Sequence, residues 1–172
     1  MIGSPFPDFT GGFNNQFTYG NFDLNVFLQF VSGNTIFNQT RFTSDRGFIY
    51  NAPTTDMLDA WGEPGQITTA HKAWAVTDQM DNQFSSAWLE DGSYLRIKDV
   101  SLGYNVSSNL ISKLKLSAVR FYLTSHNLLT FTKYKGFDPE VNVKPGDART
   151  VGVDIGAYPQ VRSFLLGVNV KF

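Results

Sequence analysis

Phe9, Gly11, Phe13, Asn15, Phe17 and Tyr19 alternate with Thr10, Gly12, Asn14, Gln16 and Thr18, and the alternation resumes after Gly20-Asn21 with Phe22, Leu24, Val26, Leu28 and Phe30 set against Asp23, Asn25 and Gln29. Successive side chains of a strand point to opposite faces, so a period of two gathers the aromatic and aliphatic groups on one face and small polar groups on the other. A helix would scatter the same residues around its circumference. Gly20-Asn21 tolerates positive φ and joins the two runs as a hairpin.

Three further runs repeat the pattern. The third spans about Tyr94 to Val106 and changes phase: Leu95 and Ile97 are odd, whereas Val100, Leu102, Tyr104 and Val106 are even. A β-bulge near Asp99, or passage from one environment to another, accounts for the switch. The fourth, about Ala118 to Thr132, sets Val119, Phe121 and Leu123 against Arg120, Tyr122 and Thr124; the last sets Phe164, Leu166, Val168, Val170 and Phe172 against Ser163, Gly167, Asn169 and Lys171. With 16 Phe, 7 Tyr and 15 Gly against 17% charged residues, the composition suits strands and turns, and the chain is expected to be all-β.

The same composition excludes several classes of function. A net charge of −1, with the basic residues scattered, gives no electrostatic footprint for nucleic acid. Cysteine is absent, which removes disulfides, thiolate nucleophiles and cysteine metal sites. No G-x-S-x-G, Walker-type loop or H-E-x-x-H occurs, so neither an enzyme nor a cofactor or metal site is expected. No apolar run reaches the roughly 18 residues of a spanning helix, and Met1 to Pro7 has neither a basic nor an apolar signal-peptide region. If the chain enters a membrane it does so as strands, with its export signal expected upstream.

The connections favour that reading. Bacterial barrels have short periplasmic turns and long extracellular loops. Working back from a periplasmic carboxy terminus, the stretches of about Ser32 to Ser93 and Lys133 to Pro159 fall outside, and Gly20-Asn21 and Ser107 to Ser117 fall in the periplasm. Short helices on the outer surface are expected around Thr54 to Trp61 and Thr69 to Met80. Five strands do not close a barrel, and an open edge in lipid would leave backbone groups unpaired, so residues 1–172 are expected to be one incomplete section of a larger barrel.

Several stretches, in order along nearly the whole chain, resemble the end of SusC/RagA-like TonB-dependent outer-membrane transporters: Pro7-Asp8-Phe9-Thr10-Gly11-Gly12-Phe13-Asn14-Asn15, Trp88-Leu89-Glu90-Asp91-Gly92-Ser93-Tyr94-Leu95-Arg96-Ile97-Lys98-Asp99-Val100-Ser101-Leu102-Gly103-Tyr104, Asn127-Leu128-Leu129-Thr130-Phe131-Thr132-Lys133-Tyr134-Lys135-Gly136-Phe137-Asp138-Pro139-Glu140 and Gly156-Ala157-Tyr158-Pro159-Gln160-Val161-Arg162-Ser163-Phe164. The resemblance implies antiparallel up-and-down strands forming the carboxy-terminal section of a large plugged barrel in the bacterial outer membrane. It implies import of glycan or peptide with energy passed by the TonB complex to a part of the protein beyond this chain, and a SusD-like surface lipoprotein over the outer mouth. It also implies that Phe164, Leu166, Val168, Val170 and Phe172 form the terminal signal read by the barrel assembly machinery, for which an aromatic-ended strand with a free edge suits capture by β-augmentation; an ordinary lipid-facing strand would look the same.

Trp61, Trp74, Trp88 and Tyr134 lie in or beside the expected outer loops, where a ring face can stack on a sugar; the same rings equally serve to pack a loop or to sit in an interfacial belt. Asp138-Pro139-Glu140, Asp147 and Asp154 are carboxylates in a stretch broken by Pro139, Pro145 and Gly146, which favours turn chemistry over catalysis or an ion site. His71 and His126 are expected to be structural. The competing function is a soluble or surface carbohydrate-binding β-sandwich, which would bury the apolar strand faces between two sheets where the barrel exposes them to lipid.

Overall fold

The first two alternating runs form the expected hairpin in the computed structural model, which describes residues 2–45, 52–70, 72, 85–107, 111, 116–141 and 150–172. Strands β1 (Phe9–Tyr19) and β2 (Phe22–Ser32) pair in one unbroken antiparallel register from Phe9 opposite Ser32 to Tyr19 opposite Phe22. Gly20 takes φ 57°, the positive value that the first position of a two-residue II′ turn requires. Asn21 pins this turn through its side-chain amide, which donates to Ser107 Oγ at 2.9 Å, and through its carbonyl, which accepts from Asn105 N at 2.8 Å.

The chain divides into two compact units. One contains residues 8–32, 93–133 and 159–172. Here β1 and β2 are joined by β5 (Tyr94–Asn105), β6 (Ala118–Thr132) and β8 (Ser163–Lys171) in a five-stranded sheet ordered β1-β2-β5-β6-β8, with antiparallel pairing throughout. This is the up-and-down order foreseen from the alternation. The strands run from 9 to 15 residues, against the ~9–11 that a tilted strand needs to cross a bilayer core.

The phase change near Asp99 is a bulge. Phe27 pairs with Asp99 and Leu28 with Ile97, which leaves Lys98 as an extra residue of β5. β6 answers with an extra residue of its own, because Ile97 pairs with Leu129 while Asp99 pairs with His126. Asn127, at φ 50°, takes the left-handed conformation inside that second irregularity and donates its side-chain amide to Val161 O at 3.2 Å. Asparagine tolerates this conformation better than a branched residue because its short polar side chain bonds locally.

The other unit, residues 1–7, 33–92 and 134–158, was not foreseen as a folded body. It is made of the long connections and carries its own sheet, ordered β4-β3-β7, in which β3 (Thr35–Asn38) pairs antiparallel with β4 (Leu89–Asp91) and parallel with β7 (Val153–Asp154). Helix α1 (Gln39–Asp45) follows β3 directly. Ile36, Phe42 and Trp88 are buried, and the Phe42 ring meets Phe37 at 5.7 Å and the edge of Trp88 at 5.8 Å, a tilted cluster typical of aromatic cores. Of the two helices expected in this stretch, the first is a 3-10 turn at Thr55–Asp59. Thr69 and Ala70 are not helical, Ala70 bridging Ala60 instead, and nearly all of the remainder to Met80 lies outside the described residues.

Candidate functional site

Directly opposed residues of antiparallel strands share a face, so the registers sort the five-stranded sheet into two. One face runs in rows across the strands: Tyr19, Phe22, Tyr104, Phe121 and Val168; then Phe17, Leu24, Leu102, Leu123 and Leu166; then Asn15, Val26, Val100, Ser125 and Phe164. Beyond these come Phe13, Leu28, Ile97 and Leu129, and finally Gly11, Phe30, Leu95 and Phe131. The first row holds four aromatics, with the Phe22 and Tyr104 rings 4.7 Å apart, and the last holds two, while the rows between are richer in aliphatic groups. The bulge at Lys98 is what keeps Leu95 and Ile97 on the same side as Val100 and Leu102.

Large apolar side chains on this face are exposed. Phe13 is 60% exposed, Leu123 43% and Leu166 77%. A β-sandwich would have buried them, so the carbohydrate-binding sandwich expected as the competing reading does not describe this sheet.

The opposite face is polar and internally bonded. Arg120 makes a bidentate pair with Asp23, both N···O distances being 2.7 Å, and reaches it across β5 at Gly103, where any Cβ would collide with the guanidinium and the carboxylate. Lys98 donates to Gln29 at 2.7 Å, Gln29 to Tyr94 Oη at 3.2 Å, and the Arg96 Nε to Thr130 at 2.9 Å. His126 pairs with Asp99. Side chains that satisfy one another this way can line water without requiring a ligand.

The unit built from the long connections holds a second polar network, centred on Arg41. Its guanidinium meets Glu90 at 2.6 Å, Asp56 at 3.3 Å and Asp45 at 3.4 Å, and Lys135 joins by pairing with the same Asp56 oxygen. Asp45 is 1% exposed and also accepts from the backbone and hydroxyl of Thr54, at 2.8 and 3.0 Å. Burial works against the Arg41 charge, but the hydrogen bond and charge of Glu90, with Asp45 and Asp56 behind, outweigh it and hold its pKa above the ordinary value. Asp56 is held below the usual carboxylate range by its bond to Lys135 and that residue's charge, with Arg41 adding to the effect. Around Arg41, Asp45, Asp56, Thr69, Trp88 and Lys135 lies a cavity of about 550 Å3.

The aromatic candidates separate. Trp88 and Tyr134 are each 6% exposed. Trp88 packs on Phe42 and contributes to the cavity wall; Tyr134 donates its hydroxyl to Asp154, which is fully buried. Burial, then the bond to that carboxylate, push the Tyr134 phenol far above its usual range. Trp61 is partly exposed, with the Lys72 ammonium 6.0 Å from its ring. It follows Asp59, whose carboxylate holds the backbone and hydroxyl of Thr69 at 2.9 and 2.8 Å. Trp74, His71 and Asp147 lie outside the described residues. Asp138 and Asp154 do turn chemistry: Asp138 accepts from Glu140 N at 2.9 Å, and Asp154 Oδ1 accepts from Gly156 N and Ala157 N at 2.9 and 2.8 Å. The network around Arg41 carried no sequence motif, and only the i, i+4 spacing of Arg41 and Asp45 could have signalled it.

No protein-family model matches the chain. Individual proteins do. TonB-dependent receptor P3 of Formosa agariphila is 41% identical over the whole chain, and TonB-dependent receptor SusC of Bacteroides thetaiotaomicron is 26% identical over 98% of it. The chain spans only 17% and 15% of their lengths. Among solved structures, the RagAB peptide importer in its closed-closed state matches the whole chain with a TM-score of 0.81 at 28% identity, and in its open-open state 96% of the chain at 0.77; the chain covers 18% and 17% of those chains. No helix among the described residues is long and apolar enough to cross a membrane. A sheet apolar on one side and polar on the other, in a chain related over its full length to these receptors, belongs to the SusC/RagA-like TonB-dependent receptor family, of which it represents a section of barrel wall with its loops.

Proposed function

We propose that this chain supplies wall and external loops to an outer-membrane importer that takes up a nutrient, glycan or peptide, with energy delivered through TonB. The observation that carries the reading is the two-faced sheet, with its apolar rows edged by aromatics. In lipid the apolar face meets acyl chains and the aromatic rows sit at the interfaces, while the polar face lines the lumen. The names of the relatives, TonB-dependent receptors and a peptide importer, support the reading.

In the intact receptor a SusD-like surface lipoprotein closes over the outer mouth, and the TonB complex engages a part of the protein beyond this chain. Trp61, Trp74, Trp88 and Tyr134 are the aromatic candidates for contact with substrate, Trp61 foremost because its ring is the least covered of the described three. The strand that carries Phe164, Leu166, Val168, Val170 and Phe172 is the segment offered to the barrel assembly machinery. Cells making the full-length receptor should carry it as a heat-modifiable protein of the outer-membrane fraction, and uptake of its nutrient should cease when TonB is removed. Recovery in the soluble fraction, or uptake indifferent to TonB, would refute the proposal.

A further inference from the structure

We infer that Tyr122 and Gly167 form a register key: the ring, seated on the glycine, fixes where β8 lies along β6, and thereby positions the strand edge that β8 presents to the rest of the receptor. β1 and β2 take their register from a two-residue turn. β8 has no such guide, because the whole of residues 133–162 joins it to β6. The alternation of faces does not supply one either. A slip by one residue would turn the apolar side chains of β8 to the polar face and is excluded by that alone, whereas a slip by two returns every side chain to its own face. On the apolar face Phe164, Leu166, Val168 and Val170 would then only exchange places opposite Phe121 and Leu123.

The polar face does tell the registers apart, because Gly167 is the one glycine of β8. It stands opposite Tyr122, between Leu165 opposite Thr124 and Asn169 opposite Arg120. The Tyr122 ring lies over the glycine so closely that a Cβ at position 167 would overlap its Cζ, Oη and Cε1 atoms. A slip by two residues brings Leu165 or Asn169 to that place. The ring, half-buried in the native register, would then have to leave the wall and lose its contact with the strand. β5 carries the same device where it meets β2, a pair joined by residues 33–93: Gly103 lies opposite Asp23, and the Arg120 guanidinium crosses it to reach that carboxylate. A slipped β8 is displaced by about 6.7 Å along its axis. Strand number, tilt and stagger are linked in a barrel, so the displaced edge no longer matches the strand it meets in the closed wall.

This inference concerns the wall and is independent of the nutrient imported. The test uses the full-length receptor, freed of any other cysteine, with Leu123→Cys combined in turn with Leu166→Cys, Phe164→Cys and Val168→Cys. Membranes are oxidised, and disulfide-linked peptides are quantified by mass spectrometry in the assembled, heat-modifiable fraction. Leu123 stands directly opposite Leu166, within the ~4.4–6.8 Å reach of a disulfide, while diagonal neighbours lie ~7–8 Å apart. With Tyr122 and Gly167 in place the direct pair should link and the two diagonal pairs should not. Tyr122→Ala, which only removes atoms, should raise the diagonal products about fivefold or more over wild type, the shift expected when an aromatic contact is lost. Gly167→Val should do the same, and Tyr122→Phe, which keeps the ring, should match wild type. Where Gly167→Val assembles too poorly to read, Tyr122→Ala decides alone. Links confined to the direct pair in Tyr122→Ala, or diagonal products equal in Tyr122→Phe and Tyr122→Ala, overturn the inference.

Discussion

Replacing Val100 by arginine places a charge in the middle row of the apolar face, two rows from the aromatic row at Tyr104 and two from that at Phe131. Rows are two residues apart, about 6.7 Å along a strand. At a tilt of about 40° each row changes depth by about 5 Å, so Val100 lies about 10 Å from either aromatic row, near the centre of an apolar band about 25 Å tall. An arginine on the lipid face at that depth costs ~2–4 kcal/mol, against ~0–1 near the interface. Val100→Arg should therefore shift the folding equilibrium of the full receptor about 30- to 700-fold, and Tyr104→Arg by about sixfold at most. Ser101→Arg, one residue along but on the polar face, should lie close to wild type. Guanidinium titration of the receptor folded into phospholipid vesicles, read by tryptophan fluorescence, measures all three. Equal losses for Val100→Arg and Ser101→Arg, or losses unrelated to depth, would refute the two-faced wall.

Gly103→Leu should destabilise by ~1–3 kcal/mol through overpacking and rupture of the Arg120 pair with Asp23, and thermal unfolding should register it; an unchanged midpoint would mean the pair does not depend on the gap at Gly103. Asn127→Gly should be nearly neutral and Asn127→Val should cost ~1–2 kcal/mol, since the position holds φ 50°; equal effects of the two would argue against a left-handed residue there. The Tyr134 phenol, raised in the folded state, favours folding fully below the ordinary tyrosine pKa near 10, and that contribution falls as pH climbs above it. Ultraviolet titration should show a tyrosine that ionises only on unfolding and that is missing in Tyr134→Phe; a phenol count identical in the two proteins would contradict the buried bond to Asp154.

The sheet was legible in the sequence because its information is local. Parity alone placed all five long strands to within a few residues, and the odd-to-even switch between Ile97 and Val100 announced a bulge that the structure assigns to Lys98. The matching irregularity at Asn127 gave no such signal, since the apolar run Leu128-Leu129 hides the change of phase. The loop unit was illegible for a different reason. β3, β4 and β7 are four, three and two residues long, too short for a period to register. Its stabilising pairs join residues far apart in sequence: Arg41 with Glu90 and Lys135 with Asp56 are separated by 49 and 79 positions. Trp88 and Tyr134 were visible as loop aromatics, but their burial follows from contacts with Phe42 and Asp154 that no local pattern encodes.

Because the chain contains no cysteine, single cysteines placed at each residue from Leu95 to Asn105 in an otherwise cysteine-free full-length receptor can be spin-labelled and tested against oxygen, which partitions into lipid, and a water-soluble nickel chelate. The structure predicts that positions 95, 97, 100, 102 and 104 answer to oxygen and 96, 99, 101, 103 and 105 do not, with the alternation changing phase at Lys98. An alternation that keeps one phase through Lys98, or even-numbered positions beyond it that stay closed to lipid, would contradict a barrel wall made by this sheet.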